Sequence, residues 1–346
     1  MLLGMTSRIL ENAMHPAMRT FPAILITGPR QSGKTTLLTE RFSKTHRYVS
    51  IENPDVRARL LDDPIGFLKA HPPPVILDEI QYVPEFLQYI KTAIDENRQP
   101  GQWLLSGSQN FALMQGVSQT LSGRIAILNL LPFTLGESIG SGNLNDSIDK
   151  IISHIFSMED RWNLTVPYKL DDWILRGSYP EIRNNSRVDR QLWCASYIQT
   201  YLERDVRQIV NVGDLNTFDR FLRVCAARTG QILNLSEISR DVGMSVPTIK
   251  KWISILEASY QVYLLPPHFR NFGKRVIKSP KLYFSDPAIA SFLMGLHDSE
   301  PLLNGPMNGH LFETAVVSEW VKAFYHRGEK PELYQLSQIC SDSNPR

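Results

Sequence analysis

The chain has 346 residues, enough for two or three domains with a sizeable buried core. Lysine and arginine number 37 against 35 acidic residues, so the net charge of +2 excludes a globally basic nucleic-acid binder and leaves only local basic patches to consider. The three cysteines, Cys194, Cys225 and Cys340, are odd in number and widely spaced, which excludes a disulfide framework or a cysteine metal site; with no apolar run of membrane-spanning length, the expectation is a cytoplasmic protein with no membrane partner.

Residues 1–20 alternate apolar positions with Arg8, Glu11, His15 and Arg19, a pattern closer to a short amphipathic helix than to a signal peptide. The apolar run Ala23–Thr27 reads as a buried strand, and Thr36–Phe42 as the start of a helix. Between them stands Gly28-Pro29-Arg30-Gln31-Ser32-Gly33-Lys34-Thr35, the full spacing of a phosphate-binding P-loop. Glycines let the backbone curl so that successive N–H groups converge on phosphate oxygens, and the helix start adds its partial positive charge. Residues Gly28 to Thr36 are thus the expected nucleotide cradle, with Lys34 reaching the β- and γ-phosphates and the Thr35 hydroxyl on Mg²⁺. ATP and Mg²⁺ are the expected cofactors.

After a short strand at Tyr48–Ile51 and two helical stretches, Val75-Ile76-Leu77-Asp78-Glu79 reads as a buried parallel strand whose carboxylates emerge at its C-terminal end, where doubly wound sheets bind ligands. Asp78 would serve the metal, and Glu79 would orient and deprotonate the attacking water. A third strand, Gln102–Leu105, ends in Ser106-Gly107-Ser108. Either Ser106 or Ser108 could touch the γ-phosphate or the water, or cap the following helix. Arg124 precedes the last strand, Ile125–Pro132, which is expected to be buried. Arg124 is either an arginine finger acting on a neighbouring copy's nucleotide or a surface residue paired with an acid.

Taken together, residues 28–37, Leu77–Gln81 with Val83-Pro84-Glu85, Leu105–Gln109, Leu121–Arg124, and Leu131-Pro132-Phe133 with Glu137 resemble the bacterial and archaeal AAA+-type ATPases that carry a C-terminal domain of unknown function. The likeness continues through Arg176–Glu181, Tyr201–Asp205 and Lys278–Tyr283, and so covers roughly residues 5 to 325. The resemblance implies an α/β P-loop NTPase core with a parallel, AAA+-like sheet, followed by a helical connector and a winged-helix domain. It casts Ser106 or Ser108 as sensor 1. Ser32 departs from the small apolar residue usual at its position.

The expected domains are an N-terminal helix (1–20), the ATPase core (21–137), a helical connector or lid (138–219), a winged helix (220–290) and an incomplete nuclease-like region (291–346). The connector begins with a Gly/Ser/Asn linker at 138–146 and includes a helix stop at Gly177. Arg176 and Arg183 are either second sensors reaching the γ-phosphate or, as the simpler account, solvated arginines, since no spacing selects them, and Glu203-Arg204-Asp205 reads as a solvated charge cluster. In the winged helix, Phe221–Ala227 reads as a first helix, and a second follows with Ser236 as its N-cap. Gly243-Met244-Ser245 is the turn before a third helix, Val246–Glu257, with Val246, Ile249, Trp252, Ile253 and Leu256 on one face. Val262–Leu265 and Lys281–Phe284 would pair as the wing. Ser245, Thr248, Lys250 and Lys251, with Arg270, Lys274, Arg275, Lys278 and Lys281, form a local basic run suited to duplex DNA or, alternatively, merely solvated. The resemblance implies a restriction-endonuclease-like region from Gly309, with Glu313 its first acid. The further acids and lysine are not met, so no nuclease activity is expected.

Two functions remain open from sequence. One is a Mg²⁺-dependent ATPase moving the winged helix, a homo-oligomer if Arg124 is a finger. The other is a nucleotide-gated DNA-binding or regulatory switch with negligible turnover.

Overall fold

In a computed structural model, the structure describes residues 6–108, 116–140 except 118, 148, 150, 168–202, 206–207, 215–268 and 279–336. The 141–146 part of the linker, Glu203-Arg204-Asp205, and the basic residues Arg270, Lys274, Arg275 and Lys278 lie outside these residues. Two compact units emerge: the described parts of 1–167, 178–188 and 322–330, and those of 168–177, 189–321 and 331–346.

The first unit contains α1 (Glu11–Thr20), β1 (Ala23–Thr27), α2 (Lys34–Phe42), β2 (Arg47–Ser50), α3 (Pro54–Asp62), α4 (Pro64–Ala70), β3 (Val75–Asp78), α5 (Leu87–Glu96), β4 (Trp103–Gly107), β5 (Ile125–Asn129) and α6 (Leu135–Ile139). The strands form one parallel sheet in the order β2-β3-β4-β1-β5. β1 is buried at every position because both faces of the sheet are covered, which is why it reads as an unbroken apolar run. The strand period of two splits its side chains. Ala23 and Leu25 join Val75, Leu77, Trp103, Leu105 and the α5 residues Ile90 and Ile94 in one core. Ile24 and Ile26 join Ile76, Leu104 and Leu128 in the other, under Met14 of α1 and Leu37, Leu38 and Phe42 of α2. Each buried Leu, Ile or Phe contributes about 1.5–3 kcal/mol, so α2 is held firmly to the sheet by three of them. That fixes where Lys34 and Thr35, its first two residues, can point.

The strand order positions the site. β4 lies between β1 and β3, so its C-terminal end at Ser106 falls between the ends that carry the P-loop and Asp78. β5 differs from expectation. It is an edge strand, paired with β1 alone among the described strands, and Ile127 is 38 % exposed. Its apolar sequence reflects one covered face, not two.

The second unit carries helices Leu170–Arg176, Arg190–Tyr201, Leu215–Ala226, Leu235–Val242, Val246–Ala258, Pro287–Leu293 and Ser299–Asn304, most of the helix Asn308–Tyr325, and strands β6 (Gln231–Ile232), β7 (Val262–Leu265) and β8 (Lys281–Phe284). β7 and β8 pair antiparallel with Val262 opposite Phe284, and β6 adds to the other side of β8. Helix Leu235–Val242 is capped by Asn234, whose Oδ1 accepts the N–H groups of Ser236 and Glu237. Ser236, expected as the cap, sits in the first turn because Asn234 satisfies those donors first. Ser245 caps the next helix, whose Ile249, Trp252, Ile253 and Leu256 are buried while Val246 is exposed. The Trp252 ring meets those of Phe218 and Phe221 at steep angles, 58° and 61°, with centroids 5.0 and 5.2 Å away, the aromatic centre of this unit. Among the described residues no helix is long and apolar enough to cross a membrane.

Candidate nucleotide site

The P-loop departs from β1 through Gly28, at φ +154°, where an added Cβ would lie 2.1 Å from the Leu130 carbonyl oxygen. The close approach of the segment after β5 thus requires glycine here. Gly33, at φ +93°, is the N-cap of α2, a left-handed position that glycine adopts without strain. Lys34 is 5 % exposed. Its Nζ donates to the carbonyls of Gly28 at 3.0 Å and Pro29 at 2.7 Å, spanning the loop it opens from.

Around Asp78 three hydroxyls converge. Thr35 Oγ1 is 2.9 Å from Oδ2 and 3.2 Å from Oδ1, and Tyr48 donates to Oδ2 at 2.8 Å. Ser106 Oγ donates to Oδ1 and accepts the Glu79 backbone N–H at 3.3 Å. Tyr48 has its pKa pushed up to about 12, by burial first and then by the Asp78 carboxylate, so it is a donor at neutral pH. Glu79 follows in a left-handed conformation, φ 61°, ψ 44°, uncommon for a non-glycine residue. That conformation is of the order of 1–3 kcal/mol above a relaxed backbone and swings its side chain off the strand line. Gln81 Nε2 donates to Glu79 Oε2 and, at 3.1 Å, to Ser108 Oγ. Ser106 thus belongs to Asp78, and Ser108 to the Glu79 side of the site. Thr35, Asp78 and Ser106 offer only oxygen donors, which suits a hard cation such as Mg²⁺. The buried hydroxyls of Thr27 and Ser32 have no hydrogen-bond partner among the described residues.

Arg124 lies apart from this cluster. Its Nε is 2.6 Å from Asp95 Oδ1, and Asp95 also pairs with Lys91 at 2.8 Å. Arg124 first, and then Lys91, hold the Asp95 carboxyl down at about 2. Arg183 is buried in the first unit, on the short helix Pro180–Asn184, whereas Arg176 falls in the second. Glu313 is in the second unit and accepts from Lys281 Nζ at 2.8 Å and Tyr283 Oη at 2.7 Å. Tyr48 and Gln81 were not among the residues expected from sequence. A lone tyrosine on β2 carries no spacing signal, and Gln81 drew no attention beyond its place in the Leu77–Gln81 run.

Behind the P-loop is a buried ionic cluster that sequence reading also missed. Arg8 Nε contacts Glu137 Oε1 at 3.1 Å, and His326 Nδ1 lies 3.2 Å from Oε2; His326 and Glu137 are fully buried and Arg8 nearly so. The Leu131 N–H donates to His326 Nε2 at 3.1 Å, so the proton of the neutral ring sits on Nδ1. Burial works to raise the Glu137 carboxyl, but the Arg8 guanidinium, with the His326 ring and the Thr134 N–H beside the carboxylate, outweighs it and leaves the pKa well below the usual carboxylate range. Burial holds the His326 pKa below its usual 6.5, against the pull of Glu137.

The sign for His326 follows from linkage. The unfolded ring takes up a proton near pH 6.5 that the folded ring resists, so its contribution is whole above that pH and is lost as pH falls. Glu137 has the same sign, with loss beginning lower, below its ordinary value of 4.5. We expect the unfolding free energy to fall from about pH 6.5 downward, by up to ~1.4 kcal/mol per pH unit for the histidine, and the thermal midpoint to fall with it. His326→Gln should flatten the segment above pH 5. An identical slope in that variant, by calorimetry across pH 5–8, would rule the histidine out.

An AAA domain model matches residues 20–139, and a model described as a domain of unknown function (DUF8612) matches residues 168–300. Uncharacterized proteins of Mycobacterium tuberculosis and Mycobacterium bovis are each 29 % identical over 312 residues, covering 90 % of this chain. The chain spans 64 % of the length of these relatives. A solved structure, the Walker-type ATPase PABY2304 of Pyrococcus abyssi, is similar with a TM-score of 0.47 at 13 % identity, covering 82 % of this chain and 94 % of that one. The AAA domain match and the parallel sheet with its P-loop support an α/β P-loop ATPase core.

Proposed function

We propose that this chain binds ATP with Mg²⁺ and hydrolyses it. The observation that carries the reading is the convergence of the Thr35 hydroxyl on Asp78, 2.9 Å away, with Ser106 joining Asp78 to the Glu79 backbone. In this reading Lys34 leaves the Gly28 and Pro29 carbonyls for phosphate oxygens, and the P-loop amides from Gly28 to Thr36 enclose them. Thr35 and Asp78 would hold Mg²⁺, which when bound neutralises the charge that develops on the transferred phosphoryl group. The Glu79 carboxylate accepts the proton of the attacking water, and Gln81, which also reaches Ser108, steers that carboxylate. Arg124 acts as a finger only if a second copy of the chain draws it away from Asp95.

A second reading is favoured by one feature of the second unit. Helices Leu235–Val242 and Val246–Ala258 meet at Gly243, with Lys250 and Lys251 exposed and the β7–β8 pair behind them. This suits a winged helix that contacts duplex DNA, with nucleotide as a gate and little turnover.

Phosphate release from ATP, measured with Mg²⁺ or with EDTA and with or without duplex DNA at low salt, separates the two. Turnover that needs Mg²⁺ supports the ATPase. Tight ATP binding with no release under any condition supports the gated switch, and no ATP binding at all removes both.

A further inference from the structure

We propose that Arg8 is a positioning residue for the phosphate cradle, and that it aims the Gly33 N–H by holding back the carbonyl of Ser32. The proposal rests on the nucleotide-binding reading above. Arg8 is 5 % exposed, and its guanidinium fork meets three acceptors from three separate segments. Nη1 donates to Ser32 O at 2.9 Å, Nη2 to Leu131 O at 2.7 Å and Nε to Glu137 Oε1 at 3.1 Å. The Phe133 ring lies 4.8 Å from its central carbon.

The peptide linking Ser32 to Gly33 is planar and trans, so its C=O and N–H point in opposite directions. Drawing the Ser32 oxygen toward Arg8 turns the Gly33 N–H away from Arg8. Gly33 follows at φ +93°, a conformation with wide freedom for glycine, so this peptide has little of its own to fix its tilt. Arg8 supplies that constraint.

Glu137 keeps the arginine in place. The carboxylate is fully buried and also accepts the N–H groups of Ile9 at 2.8 Å and Thr134 at 2.9 Å, so both its oxygens are fixed by backbone. A lysine at position 8 could keep the charge beside Glu137, but it could not present three donors in one plane to three acceptors.

The test compares the full-length wild type with Arg8→Lys and His326→Gln. Affinity for a fluorescent ATP analogue with Mg²⁺, phosphate release at saturating ATP, and thermal midpoint are each measured. Arg8→Lys should weaken nucleotide affinity about tenfold, the loss of one charge-assisted contact, and keep saturated turnover within about threefold. His326→Gln disturbs the same buried cluster without touching Ser32, so it should lower the thermal midpoint and leave the affinity unchanged. An affinity in Arg8→Lys within twofold of wild type overturns the proposal, as does an equal weakening in His326→Gln. Should Arg8→Lys fail to fold, Glu137→Gln is read instead; its affinity should fall about threefold as the arginine loosens, and an unchanged affinity overturns the proposal. A wild type that binds no nucleotide overturns the underlying reading as well, and is seen before any variant is compared.

Discussion

Lys34→Ala is expected to weaken ATP binding by several hundredfold. The Lys34 ammonium is buried and sits 3.0 Å from the Gly28 carbonyl and 2.7 Å from that of Pro29, at the centre of the loop. A charge-assisted hydrogen bond is worth roughly 1.5–3 kcal/mol, so two lost to phosphate oxygens, each taken at the low end of that range, remove about 3–4 kcal/mol. At 1.4 kcal/mol for each factor of ten, that is the expected range. The substitution also leaves the Gly28 and Pro29 carbonyls without their donor, so a small loss of stability accompanies the larger loss of affinity. Titration of the variant with labelled ATP and Mg²⁺ reads this directly. Binding within about threefold of wild type would mean that the loop does not hold a triphosphate.

Glu79→Gln is expected to stop turnover and spare binding. Glutamine has nearly the same shape, keeps the left-handed turn after β3 and leaves Asp78 with its three hydroxyls, so the nucleotide and metal should still bind. What is lost is the carboxylate that accepts a proton, a contribution of roughly 10²–10⁴ in rate. Single-turnover phosphate release at saturating ATP isolates this step from binding. Unchanged release would take Glu79 out of the base role and turn attention to the Ser108 side of the site.

Most of the nucleotide unit was legible because its signals are local. The P-loop spacing, the apolar strands ending in Asp78-Glu79 and in Ser106, and the helix start at Lys34 each lie within ten residues. Their assembly into one parallel sheet follows from buried strands that need helices on both faces. Less could be read where a contact is distant in sequence. Tyr48 reaches Asp78 across 30 positions, and Arg8 reaches Glu137 across 129. No periodicity announces such pairs, since each is made by the sheet order and not by the local chain. The edge position of β5 was hidden for the same reason, because Ile125–Leu131 is apolar enough for a central strand. The cap at Asn234 shows a smaller failure. Asparagine and serine two residues apart are both good caps, and only the backbone decides which one faces the free N–H groups.

The Leu131 N–H and the ring that accepts it are 195 residues apart. The nucleotide unit is therefore not a contiguous stretch that can be finished as it leaves the ribosome. At about 5–20 residues per second, something like 10–40 s separates the emergence of Leu131 from that of His326. Throughout that interval the nascent unit carries a backbone donor that its final packing would bury unanswered. The last stretch of the unit, residues 322–330, is thus a seal that arrives only after residues 189–321 of the second unit have been made. A ribosome stalled anywhere in residues 189–321 leaves the first unit unsealed.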